Sequence, residues 1–562
     1  MKHLNWTLVL MAVVLSVLMA ACDSNDDKST DDDNPSDGDD GKTTDGDDET
    51  DTDSGGDGDS DTLVACDGMS DVAVDILERD IELEGETVTK KVNTVLVVNW
   101  HQTVKSDAVK LRFSFENDEW YESPTEPGTT GEHEIPVFGV PELTDITIQI
   151  VNETDGDETV CETSGTTGKI PDSVPRATIL DYDPSLASSN RWMLGTVEKS
   201  TELLGMYDGI STVYILDRQG RIVWYYLDQA WSPVTAYPRI ARDGSHFYFD
   251  RSNYLGSENS NQPSIVRTTL DFRQFEQIDA PSMTDSMDIT DDGGFVYNSE
   301  EWLMELTATG KEREIWSCTD WVQDAGIDET VVQARIDELI KWGKIDKTDE
   351  MDETIIKKIY GGFCYANSVV FNPLDNTILL SFPYINTVVE VSRESGEIVG
   401  QWGDVPGSWQ FEPASLGLEF EHGANITPDG TLLLSTHAPG YDDFTKPPHY
   451  FIEFELDRDN RIATEIWRYG DGLKDWPACK GEAFPVDGGN RLVNYGTAGL
   501  IREITADAEV AWDVKWDADF EVPPEIRKVY DDSFTDDDIN NMVGHNVLID
   551  DLYALNEGWE SK

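Results

Sequence analysis

Basic residues are scarce in this chain: 41 Lys and Arg stand against 112 Asp and Glu, a formal charge of −71 over 562 residues. A surface of that sign repels nucleic acid and anionic membranes, so no nucleic-acid partner is expected. An anionic substrate would need a locally basic pocket. Cysteine is also sparse, six in all, and Cys318, Cys364 and Cys479 include no C-x-x-C pair, which argues against zinc or iron–sulfur clusters. The eight histidines do not cluster with acids as metal ligands do, so a metal-assisted hydrolase is the weakest reading, and neither metal nor cofactor is expected. The one sustained apolar run, Leu8 to Ala21, is too short to span a bilayer comfortably.

That run follows Met1-Lys2-His3 and ends at Cys22, the layout of an export signal rather than a membrane helix. Met19-Ala20-Ala21-Cys22 resembles a bacterial lipobox, which implies a signal peptide over 1–21, lipidation of Cys22 and anchoring to a membrane of the cell envelope. Residues 22–62 then repeat Asp with Gly, Ser and Thr. Such a segment cannot bury enough apolar surface to offset the entropy of ordering, so it reads as a disordered acidic linker. Its acids lack the fixed spacing of a calcium loop. Eighteen acids against two lysines in this linker give −16 of the −71, leaving −55 on the rest.

Two folded regions follow. Residues 63–172 hold alternating stretches, Thr94 to Trp100, Ala108 to Phe115 and Ile146 to Val151, with turns between them and no helical period. This predicts a small β-sandwich of the immunoglobulin or fibronectin type. Cys66 and Cys161 bracket the region and make a candidate disulfide in an oxidising compartment, and Cys318 with Cys364 is a second candidate pair.

From residue 176 to 562 one pattern recurs: strands, an Asp/Asn/Gly turn, and an outer strand ending in Trp. The turns Asp243-Gly244, Asp292-Gly293, Asp375-Asn376, Asp429-Gly430 and Asp487-Gly488 are spaced 49, 83, 54 and 58 residues apart. Four antiparallel strands at this period predict a β-propeller. The long interval is an insertion over 319–360 whose helix spans Asp328 to Trp342. Ser211 to Trp224 reads as the last two strands of a blade and His545 to Leu555 as the first two. Joined, they close a six-bladed ring and remove its sheet edge from water. The fold class is therefore all-β: a six-bladed propeller preceded by the sandwich and the acidic linker.

In a blade, the start of the first strand and the end of the second lie at one rim of the central channel. His422 starts such a strand and His437 ends its partner, within EFEHGANITPDGTLLLSTHAPG. The same rule brings Arg251, Asp285, Tyr365, Asn367, Tyr384 and Asn386 to that rim. Glu482, Asn494, Tyr495 and His545 join them.

The order Ala366 to Pro373, Ile378 to Asn386, Glu421 to Leu434 and Gly488 to Gly496 resembles the bacterial arylsulfotransferase family over most of residues 180–555. The resemblance implies a six-bladed propeller that transfers a sulfuryl group from an aryl sulfate to a phenol through a sulfated histidine. His422 matches the family's nucleophile and Asn367 the Asn of its H-x-N-S motif. The chain departs from the family at Tyr365, at Ser381-Phe-Pro-Tyr384 and at Met283 to Met287, where the family carries two histidines and an arginine. Neutral imidazole can attack sulfur, but charge then builds on the leaving phenolate and the sulfonate oxygens, and donors or cations must stabilise it. Arg251, His437, Tyr365 and Tyr384 are the candidate substitutes. The implied partners are a small aromatic sulfate donor and a phenolic acceptor. The alternative is a non-catalytic propeller lipoprotein that binds a ligand or protein at the rim.

Overall fold

The computed structural model describes residues 66–116, 119–201, 210–228, 237–251, 263–284, 286–299, 302–327, 364–438, 448–470, 480–516 and 539–559. The expected signal peptide over 1–21, Cys22, the acidic stretch, Asp285, Cys479 and the helix expected over Asp328 to Trp342 lie outside them. Among the described residues no helix is long and apolar enough to cross a membrane.

Period-two alternation gives the first region its strands: β1 (Met69–Leu83), β2 (Glu86–Gln102), β3 (Ala108–Ser114), β4 (Trp120–Glu122), β5 (Gly131–Val137), β6 (Asp145–Thr154) and β7 (Asp157–Thr166). They form two sheets, β1-β2-β5 and β4-β3-β6-β7. Leu96, Val98 and Trp100 from one sheet and Leu111, Phe113 and Ile148 from the other share a buried cluster. Cys66 and Cys161 are joined as a disulfide with Cα atoms 5.5 Å apart.

The far half of the β1-β2 hairpin leaves this core. Leu77, Ile81 and Val92 are buried in one cluster with Tyr225, Val266 and Phe272 of the following region. At the hairpin tip, the Glu84 amide donates to Gln277 Oε1 at 2.8 Å, and the Glu84 carboxyl accepts from Arg251 at 2.7 Å.

The second region begins with β8 (Ala177–Tyr182), β9 (Trp192–Thr201), β10 (Ile210–Asp217) and β11 (Ile222–Asp228). Three four-stranded antiparallel sheets follow in chain order. They are β12–β15 (Arg239–Ile240, Phe247–Arg251, Ser264–Thr268, Phe275–Asp279), β16–β19 (Met287–Ile289, Phe295–Ser299, Trp302–Leu306, Glu312–Ser317) and β20–β23 (Ser368–Asn372, Thr377–Phe382, Thr387–Ser392, Ile398–Gly403). Strand β24 (Gln410–Glu412) then adds to the outer edge of β25–β28 (His422–Ile426, Leu432–His437, His449–Asp457, Ile462–Tyr469). The last full set is β29–β32 (Gly481–Pro485, Arg491–Tyr495, Leu500–Ile504, Val510–Trp516), with β8 as its fifth, outermost strand. First strands of neighbouring sheets touch, β16 with β20, β20 with β25 and β25 with β29. The arrangement is propeller-like, with those strands around the middle.

Closure differs from the expectation in one respect. The C-terminal part supplies a single strand, β33 (Ile539–Ile549), which pairs with β9 in the order β11-β10-β9-β33. The N-terminal part therefore gives three strands, not two. Asp550-Asp551 ends β33, and the apolar residues beyond it pack instead of pairing: Leu552 and Leu555 are buried, and the Tyr553 hydroxyl donates to the Pro136 carbonyl at 3.0 Å.

Two of the outer-strand tryptophans fasten one sheet to the next. Trp224 Nε1 donates to Leu270 O at 2.8 Å and Trp512 Nε1 to Arg218 O at 3.0 Å. The insertion starts with a helix, α1 (Cys318–Asp324), capped by the Ser317 hydroxyl accepting from the Asp320 amide. A disulfide between Cys318 and Cys364 closes its ends.

Candidate functional site

His422 opens β25, and the strand is irregular directly behind it. The ladder with β26 pairs His422 with Ser435 and resumes only at Asn425 with Leu433. Gly423 sits in the break at φ +64°, a left-handed backbone that glycine adopts without strain. Such a bulge bends the strand and re-aims the side chains beside it. Here it also clears room for Glu482 on β29: a Cβ at position 423 would lie 2.7 Å from Glu482 Cγ.

The Glu482 carboxyl stands between two imidazoles. His422 Nδ1 is 3.6 Å from Oε1, and His545 Nδ1 is 3.2 Å from Oε2. His545 lies in a second bulge, because the β33–β9 ladder breaks between Val543 and Asn546. All three side chains are buried. Two innermost strands from distant parts of the sequence thus bulge at their histidines and present them to one acid.

Neighbouring sheets fix the approach to His422. Asn367 Nδ2 donates to the Glu421 carbonyl at 2.8 Å, while the Phe420 amide donates to Asn386 Oδ1 at 3.2 Å. Asn367 is itself held through its carbonyl, which accepts from the Tyr237 hydroxyl at 3.0 Å. Its side-chain oxygen is buried with no hydrogen-bond partner among the described residues. The Tyr365 and Tyr384 rings, two residues before Asn367 and Asn386 in sequence, have centroids 6.4 Å apart. His437 lies at the same end of the sheet as His422, its amide donating to the Glu419 carbonyl at 2.8 Å. It pairs across the ladder with His449 at the start of β27, ring centroids 5.0 Å apart. Arg251 is buried and bonded to Glu84 of the β1-β2 hairpin.

Burial governs the charges. It holds His422 down to about 3, with the Lys480 ammonium adding to the effect, so the imidazole is neutral. His449 is lowered well below its ordinary value by burial and by His437 and His422, and His545 by burial and by Arg239. Glu421, next in sequence to His422, is fully buried with no hydrogen bond to either carboxyl oxygen among the described residues. Burial pushes it up to about 8, although the Glu421 and Thr387 backbones favour its charged form. Both ring nitrogens of His422 lack a hydrogen-bond partner among the described residues. A neutral imidazole in this setting is a nucleophile or a base rather than a cation.

Among the described residues no group of three or more His, Cys, Asp or Glu is arranged to hold a metal ion. Lys480, His449 and the buried Arg239–Asp288 pair, 3.1 Å apart, were not expected at this end of the sheets. The start of a third strand lies at the same rim as the end of the second, and applying that rule to β27 finds His449.

No family model matches the sequence, and no curated protein matches it. Among solved structures the chain is similar to a protein of unknown function from Bacteroides caccae, at 13% identity over 58% of this chain and 94% of that one, TM-score 0.36. It is also similar to virginiamycin B lyase from Staphylococcus aureus, at 12% identity over 60% and 87%, TM-score 0.32. A third is the calcium-binding protein regucalcin from Agrobacterium tumefaciens, at 11% identity over 50% and 74%, TM-score 0.29. Likenesses of this size carry no activity or ligand to this chain.

Proposed function

We propose that the chain is an exported, lipid-anchored enzyme resembling the arylsulfotransferases. In this reading the sheets from β8 to β33 are the six blades of a propeller, and the two sheets before them form an immunoglobulin- or fibronectin-like sandwich. Its reaction moves a sulfuryl group from an aryl sulfate to a phenolic acceptor.

The observation that carries the reading is the buried, neutral imidazole of His422, set beside Glu482 in a strand bulge. Nδ1 faces the Glu482 carboxyl. At 3.6 Å this is longer than a hydrogen bond, as catalytic contacts often are before substrate binds. Contact through Nδ1–H leaves the lone pair on Nε2 to attack sulfur. The S–N bond forms as the S–O bond to the aryl group breaks, and a phenolic oxygen then attacks sulfur to release the imidazole. Lys480, whose charge already acts on His422, supplies a cation near the developing sulfonate charge. It stands in for the family's arginine and histidines that Tyr365, Tyr384 and the Met283 to Met287 stretch replace.

Incubation with 4-nitrophenyl sulfate and phenol tests this. Nitrophenol release is expected in the wild type and a loss of at least about a thousand-fold in His422→Ala. Quenched protein should carry one sulfuryl group on the peptide containing His422. Release that persists in His422→Ala, or no release with any aryl sulfate, overturns the reading.

A second reading, a non-catalytic propeller binding a ligand or protein at the rim, is favoured by the pairing of Arg251 with Glu84. That contact occupies one of the candidate cations. Saturable binding of an aryl sulfate without turnover would support it.

A further inference from the structure

We propose that His545 is the acid–base residue of the transfer, exchanging a proton with the phenolic oxygen, and that Glu482 couples it to His422 as a two-sided proton relay. This rests on the sulfuryl-transfer reading and adds a second histidine to it. The juxtaposition is particular: one buried carboxyl offers Oε1 to His422 Nδ1 at 3.6 Å and Oε2 to His545 Nδ1 at 3.2 Å.

Protons and charge balance along the relay. With one proton on the carboxyl, Oε2–H donates to His545 Nδ1, Oε1 accepts from His422 Nδ1–H, and His545 holds its other proton on Nε2. As His422 Nε2 bonds to sulfur, its Nδ1 proton becomes acidic and passes to Oε1. The Oε2 proton passes to His545 Nδ1, and His545 Nε2–H protonates the phenolate oxygen leaving sulfur. An aryl sulfate and a neutral histidine become a sulfohistidine and a neutral phenol, with Glu482 again singly protonated. His545 now has its lone pair on Nε2, the form that accepts the proton of an incoming phenol. The return path reprotonates His422 Nδ1 and makes the imidazole a better leaving group.

The surroundings suit a relay that moves protons without ever fixing a charge. The Lys480 charge acts on His422 and that of Arg239 on His545, and His437 and His449 lie on the β26–β27 side. The cations disfavour imidazolium at either end, so the proton is passed on rather than kept. Phe484 packs edge-on against the His545 ring at 4.2 Å and holds its plane. Gly423 leaves the space that Glu482 needs to reach both rings.

Donors of different leaving ability test the relay. 4-Nitrophenolate departs without a proton, whereas unsubstituted phenolate needs one. In His545→Asn and in Glu482→Gln, first-turnover release of phenol from phenyl sulfate, before any acceptor is added, should fall about a hundred-fold to ten-thousand-fold. First-turnover release of 4-nitrophenol by the same preparation should fall less than about ten-fold. The ratio between donors does not depend on the folded fraction, so partial unfolding cannot imitate the result. If neither variant folds, the wild type carries the same signature: a solvent deuterium effect on first-turnover phenol release from phenyl sulfate that is absent from first-turnover release of 4-nitrophenol. Equal losses on both donors, or equal isotope effects, overturn the relay while leaving sulfuryl transfer by His422 standing. Failure of the wild type on both donors overturns sulfuryl transfer itself.

Discussion

Gly423 does two things that no other residue type does at that point. Its φ of +64° lets β25 break behind His422, and its missing Cβ lets Glu482 approach. Gly423→Ala therefore strains the backbone and pushes Glu482 away from at least one imidazole. If the proposed transfer holds, its rate from phenyl sulfate should fall by about ten-fold or more, with a stability loss of about 1–3 kcal/mol. Activity at the wild-type level in a folded Gly423→Ala would show that the close approach is unnecessary. The sequence made His422 and Glu482 legible because each sits at the start of a first strand, and His545 because the apolar alternation begins there, although β33 itself starts at Ile539. It did not show Glu482 between the two rings, since that contact depends on bulges that alternation cannot reveal. Lys480 was missed because it stands one residue before β29, outside the stretch that strand alternation marks.

The apolar run Leu552 to Leu555 resembles a strand in the sequence, yet it wraps against the junction of the two regions. The Phe138 and Tyr553 rings meet edge to face at 5.2 Å, and Leu552 belongs to the cluster that joins the hairpin to the propeller-like sheets. Pattern alone cannot distinguish these uses, because both need buried apolar residues close together. Leu552→Ala should cost about 2–5 kcal/mol. It should also loosen the sandwich, so calorimetry would show two transitions where the wild type shows one. A single transition lowered as a unit would mean that the junction does not depend on this residue. The β12 to β32 strands were easier to read, since each set carries its own turn and all but β12–β15 an outer-strand tryptophan.

Across the whole molecule, buried groups of opposite type set the response to pH. His422 has an ordinary value of 6.5 and a folded value of about 3, so its contribution is present above 6.5 and lost as pH falls toward 3. His246, held at about 4 mainly by burial, acts in the same sense, as do His449 and His545. Glu421 runs the other way. Raised from 4.5 to about 8, it favours the fold below 4.5 and loses that contribution as pH rises through 8. Stability against urea should therefore be greatest between the two limbs, with Glu421→Gln flattening the alkaline limb by on the order of a few kcal/mol. An alkaline limb unchanged in Glu421→Gln would assign it to other groups.

The sheet that holds β9 is completed by a strand that also carries His545. During synthesis, sheets β12 to β32 can form while β9 still waits for its partner, and the chain at that stage has His422 and Glu482 but not the second imidazole. On the reading proposed above, the pair of imidazoles around Glu482 is complete only once Ile539–Ile549 has found β9. A chain clipped before that strand leaves the sheet of β9 without its innermost strand and the Glu482 carboxyl without its second imidazole.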